Sequence, residues 1–184
     1  MIDDYQRRYE EHRKRKAEGI VQGPQRRSVR VFTCREIRKE SLDWILESAR
    51  QAPQSCNRQA LTLKVARGAQ VHNILAGGEG WLGAAPLVML VFADLVAYKS
   101  PIEVDFMPWL DAGVILTTIA YAAHTAGLGA CIVNPHICPE SRKAFAAAFN
   151  PEGRLFCGAV ALGYAAVTPE CLEKKPMEEL VEWL

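Results

Sequence analysis

The sequence predicts a domain of α+β or α/β class, with helices interspersed among strands around one sheet. Three observations lead there. Short apolar runs at 61–65, 86–93, 130–133 and 156–164 have the length of strands. Helical patterns fall between and around them. The 184 residues are 49% hydrophobic, enough for one sizeable core. With 23% charged residues the bulk of the chain is neither disordered nor fibrous. A net charge of +1 gives no global attraction to nucleic acid or acidic membranes.

Residues 1–25 read as an appended arm and 26–184 as the domain. Positions 3–18 form a polar helix stopped by Gly19 and Gly23-Pro24. Residues 1–30 carry a charge of +4 and the rest −3. Mixed signs at helical spacing favour a solvated helix over a nucleic-acid arm. Arg26 to Phe32 is a short extended segment. A helix capped by Ser41 runs to Ala52, with Leu42, Ile45, Leu46, Ala49 and Ala52 on one face, and Pro53 ends it. The polar turn Gln54–Gln59 leads into the alternating strand Leu61–Val65, and a short helix follows near Val71–Leu75.

Gly77–Gly83 reads as a flexible loop. Within it, Gly78 to Gly83 matches the dinucleotide pattern GxGxxG. A helix precedes the glycines and a strand follows, the reverse of what that mechanism requires, so the match is rejected. Pro86–Ala93 is continuous enough for a central strand covered on both faces. A loop passes through Pro101 and Pro108. Asp111–Ala126 is apolar on nearly all sides, and a domain this small seldom encloses a whole helix. Part of that surface is expected to meet a second subunit in a homodimer. Gly127-Leu128-Gly129 caps the helix, Ala130–Val133 is a brief strand, and Pro139 opens a helix to Phe149. Phe156–Tyr164 is a further buried strand before the amphipathic tail Met177–Leu184.

The six cysteines form no CxxC pair, which gives a zinc or iron–sulfur site little support. No N-terminal apolar run reads as a signal peptide, and the longest apolar run, Ala84–Ala93, is too short to span a bilayer. The expected compartment is the reducing cytoplasm. GxSxG, HExxH and P-loop motifs are absent, and His124 reads as a satisfied interior histidine.

Three clusters carry chemistry. In the extended segment Arg26-Arg27-Ser28-Val29-Arg30, residues Arg26, Ser28 and Arg30 project to one side. Two guanidinium forks and a hydroxyl suit a phosphate beside a polyol, or else form an exposed basic strand. The turn Pro53-Gln54-Ser55-Cys56-Asn57-Arg58-Gln59 offers amides suited to a heterocycle edge, or simple turn chemistry. Lys174-Lys175-Pro176 is either additional phosphate charge or a solvated tail.

In this order, the features resemble the nitroreductase family of flavin enzymes. The resemblance rests on Arg26-x-Ser28-x-Arg30 and on the turn Ala52, Pro53, Ser55, Asn57 and Gln59. It extends to the Asp111-led helix ending in Gly127-Leu128-Gly129, then Ala161-Leu162-Gly163-Tyr164 and Lys174-Lys175-Pro176. It implies a central mixed sheet flanked by helices, in an intertwined homodimer holding FMN at the interface. By resemblance, Arg26, Arg27, Ser28 and Arg30 hold the phosphate and ribityl end, with Arg30 reaching the pyrimidine edge. Lys174 and Lys175 complete the phosphate site. Pro53, Ser55, Asn57 and Gln59 approach the flavin from the partner subunit, and Val133-Asn134 offers a backbone N–H.

The resemblance also implies an NADH- or NADPH-dependent, ping-pong reduction of nitroaromatics, quinones or similar flat acceptors, with the flavin carrying the chemistry and no catalytic side chain. Two departures bear on flavin tuning. Ala60 and Leu61 stand where many relatives have Pro and an aromatic residue, and Pro135 lacks an N–H. A flavin-binding redox sensor or ligand-binding protein without turnover is the alternative.

Overall fold

The computed structural model describes residues 26–72, 80–133, 142–170 and 174–184. The polar helix at 3–18 and residues Asn134, Pro135 and Pro139 lie outside them. Four strands form one sheet: β1 (Leu61–Ala66), β2 (Leu87–Ala93), β3 (Gly129–Val133) and β4 (Leu155–Gly163), in the order β1-β2-β4-β3. Among the described residues all three strand pairings are antiparallel, and the one parallel contact is a bridge between Ser28 and Ala130.

The two inner strands are apolar throughout because both their faces are covered. On one face, Met89, Val91, Val160 and Leu162 pack against α1 (Lys39–Arg50) and α4 (Pro101–Thr125). On the other, Val88, Leu90, Phe92, Ala159 and Ala161 meet the helices α2 (Gly68–His72), α3 (Gly80–Gly83) and α5 (Arg142–Phe149) through Val71, Leu82 and Phe145. A β-bulge reverses the alternation of β4: Val91 pairs with Gly158 and Phe92 with Phe156. Gly158 adopts φ 145° there, a backbone conformation that L side chains rarely adopt. Phe92 is fully buried among Phe145 and Phe156. Phe92→Ala should therefore cost about 3–5 kcal/mol, read as a lower denaturant midpoint.

The boundaries differ from expectation at several points. α1 starts at Lys39 after Arg38, without a side-chain cap, so Ser41 lies inside the helix. Ile45 and Ala49 nevertheless form its buried face as read. The largest difference is α4, which begins at Pro101, where a loop was expected. Ser100 caps it, its Oγ accepting from the Glu103 N–H at 3.2 Å. Pro101 occupies the first turn, where a missing N–H costs nothing. The buried Pro108 merely removes one interior hydrogen bond.

By length and composition alone α4 could cross a membrane, yet half of its apolar window is buried within the domain. Gly127, at φ 74°, ends it as read, with Leu128 N donating to Ala123 O. Gly80–Gly83 is a helical turn pinned by buried Leu82 and not a loop, and residues 77–79 lie outside the description. α6 (Met177–Leu180) is shorter than the amphipathic tail expected and is exposed. The remaining short helix, α5, runs to Phe149 as read.

Candidate functional site: an arginine cavity and a strained turn

The segment 26–32 is tied to the sheet's end by backbone bonds. Val29 N donates to Ala130 O and Thr33 N to Tyr164 O, while Val31 O accepts from Ala166 N. Two glycines admit it closely. A Cβ on Gly129 would lie 2.7 Å from the Val29 side chain, and one on Gly163 would lie 2.9 Å from the Phe32 ring. Gly129→Ala should therefore push the segment outward, costing about 1–3 kcal/mol. Thermal unfolding would show the lower Tm.

This anchoring leaves Arg26 and Arg27 facing a cavity of about 260 Å³, shared with His124, Gly127–Gly129 and Thr168. Arg27 Nη1 donates to the Arg26 carbonyl at 3.1 Å. Arg26 Nη1 is buried and has no hydrogen-bond partner among the described residues. A buried guanidinium N–H without an acceptor is costly, and an anion in the cavity would satisfy it. Ser28 forms the bridge to Ala130. Arg30 is exposed, its guanidinium carbon 5.9 Å from the Trp81 ring centre. The cavity therefore gathers Arg26 and Arg27, and Arg30 points elsewhere.

The turn after α1 is strained. Cys56, Asn57 and Gln59 take φ values of 50°, 51° and 52°. Asn tolerates that region, whereas Cys and Gln do not, and each such residue costs on the order of 1 kcal/mol. α4 holds the turn in place. Asp111, 2% exposed, accepts from Ser55 N at 2.9 Å and from Ser55 Oγ at 2.7 Å through one oxygen. Its other oxygen accepts from Tyr98 OH at 3.1 Å. Burial, then this bond, pushes the Tyr98 pKa up, so the phenol remains a donor.

About two turns earlier on α4, Glu103 accepts from Arg58 Nη2 at 2.8 Å and from Lys99 N at 2.7 Å. The Lys99 amide, aided by Arg58, holds the Glu103 carboxyl below its ordinary 4.5. This anchor is thus present above that value and weakens as pH falls through the lowered one. Pro53 lines a second, more open cavity of about 600 Å³ on α4, with Trp109, Leu110 and Gly113.

Other predicted site residues are dispersed. Val133 ends β3, and Asn134 lies outside the described residues. Lys174 and Lys175 are exposed, with Lys175 Nζ donating to Glu179 O, and neither lines the arginine cavity. The sequence reading missed three participants. His124 is exposed on the cavity, not interior, because it lies on the outward side of the last turn of α4. Glu103 fell in the expected loop. Asp111 reads from the sequence as a helix leader, and its burial at 2% exposure beside Ser55 appears only in the structure.

A model of the nitroreductase family matches residues 24–76 and 64–164. An FMN reductase [NAD(P)H] from Bacillus subtilis (strain 168) is 32% identical over 120 residues, 56% of this chain. This match spans about half (48%) of that curated relative's length. A nitroreductase family protein from Streptococcus pneumoniae TIGR4 superposes with TM-score 0.76 at 17% identity, covering 88% of this chain and 97% of its own. A Desulfovibrio desulfuricans protein, assigned as a nitroreductase and solved with FMN, gives 0.74 at 25% identity, covering 88% and 96%.

Proposed function

The chain belongs to the nitroreductase family; from that premise we propose that it is an FMN-dependent NAD(P)H oxidoreductase, working in the cytoplasm as a homodimer on flat acceptors such as nitroaromatics and quinones. The observation that carries this reading is the buried Nη1 of Arg26, which has no partner among the described residues and lies beside Arg27 in the arginine cavity. The donor set fits the phosphate of FMN. The Bacillus subtilis FMN reductase and the FMN complex from Desulfovibrio desulfuricans support the same choice.

In this reading Arg26 and Arg27 bind the phosphate and Ser28 extends the site along the ribityl chain, while Arg30, over Trp81, and Lys174 and Lys175 lie outside the cavity and supply no contact within it. Pro53, Ser55, Asn57 and Gln59 meet the heterocycle, and the Val133-Asn134 segment lends a backbone N–H. When bound, FMN supplies hydride acceptance from NADH or NADPH and electron delivery to the acceptor. The protein's share is to bind, orient and set the local charge.

The geometry also supports a shared site. Along α4, the arginine cavity lies at His124 and the turn at Asp111, roughly 20 Å apart at 1.5 Å per residue. One chain cannot easily bring both to the same flavin, whereas a two-fold partner would. The outward face of α4 is apolar: Ile102, Phe106, Trp109, Leu110 and Tyr121 are all exposed. That stripe is the surface a second copy would cover.

The test is anaerobic mixing of FMN-loaded protein with NADH or NADPH, then with a quinone. Loss of the visible flavin absorption and its return on adding quinone are expected. A bound flavin that neither nicotinamide bleaches would leave a binding protein without turnover.

A further inference from the structure

We infer that Asp111 is a positioning residue for the cofactor-facing turn, with Glu103 as its second anchor. This inference rests on the FMN reading above. Ser55 donates both its N–H and its O–H to one Asp111 oxygen. A hydroxyl has one proton, so Ser55 can only accept towards a flavin. Its main task in the structure is to tie the turn to α4. Arg58, 9% exposed at its side chain, ties the far side of the turn to Glu103. Between and beside these two anchors lie Cys56, Asn57 and Gln59 in left-handed backbone, which holds only where neighbours over-determine it. The amides of Asn57 and Gln59 are therefore aimed by two carboxylates on a helix that itself makes no contact with the heterocycle in this reading.

Position and charge can be separated. Asparagine at 111 keeps an oxygen for both Ser55 donors and can donate to Tyr98, so it preserves the geometry without the charge; alanine leaves the donors unpaired. The experiment measures FMN affinity and the visible circular dichroism of bound FMN at saturation, on protein verified as folded by far-ultraviolet circular dichroism. Asp111→Ala should weaken FMN by about tenfold or more and alter the flavin signal, while Asp111→Asn restores most of both. Should Asp111→Ala fail to fold, Glu103→Ala, on the more exposed anchor, should show the same change in smaller measure.

A purely structural residue would lower thermal stability without altering the signal of the saturated flavin. Wild-type affinity and signal in both alanine variants would overturn the inference while leaving FMN binding intact. Equal loss in the alanine and asparagine variants would also overturn it, in favour of charge. A wild-type protein that takes up no FMN would instead sink the reading on which the inference stands.

Discussion

Arg26→Ala should weaken FMN binding by about 10- to 100-fold, the loss of one charge-assisted contact of roughly 1.5–3 kcal/mol. The same change should leave the melting temperature of the FMN-free protein unchanged or slightly higher. The buried Nη1 of Arg26 has no acceptor among the described residues, so its removal relieves a desolvated group. The carbonyl that receives Arg27 is backbone and survives the substitution. Equilibrium titration with FMN, alongside thermal unfolding of both proteins, measures the two effects separately. Arg30→Ala removes a side chain that lies over Trp81 and outside the cavity. Its effect on affinity should be smaller than that of Arg26→Ala.

Leu110→Glu addresses the second half of the site. Leu110 is 57% exposed in the single chain, so the substitution spares the core. In a two-fold dimer the same residue enters the interface twice. Covering the exposed part of two leucines is worth about 2–3 kcal/mol, before the cost of burying two carboxylates is counted. The protein should become monomeric at micromolar concentration in light scattering while keeping its far-ultraviolet spectrum. Because the arginine cavity and the turn would then belong to separate molecules, FMN retention should fall with the dimer. A variant that stays dimeric would place the interface on another face.

Much of the architecture was legible because apolar continuity is a strong signal. The strands at 87–93 and 155–163 are buried on both faces, and their composition shows it. The Gly127 stop was legible for a similar reason, since a left-handed C-terminal residue selects glycine. The start of α4 was not, because Pro101 and Pro108 read as breakers, although the first position tolerates proline and one interior bond can be spared. The site was legible in its residue types and only partly in its geometry. Alternation along 26–30 groups Arg26 with Arg30, whereas in the structure Arg27 joins Arg26 at the cavity and Arg30 lies over Trp81. The anchoring of Ser55 by Asp111 links residues 56 positions apart, a pairing that no local pattern encodes.

The most direct test of the central claim is the visible absorption spectrum of the purified protein, or of protein incubated with FMN and desalted, combined with quantitation of the chromophore released by heat. The account predicts a yellow protein that releases about one FMN per chain. A colourless protein that takes up no added FMN would contradict it, and the arginine cavity would then await another anion.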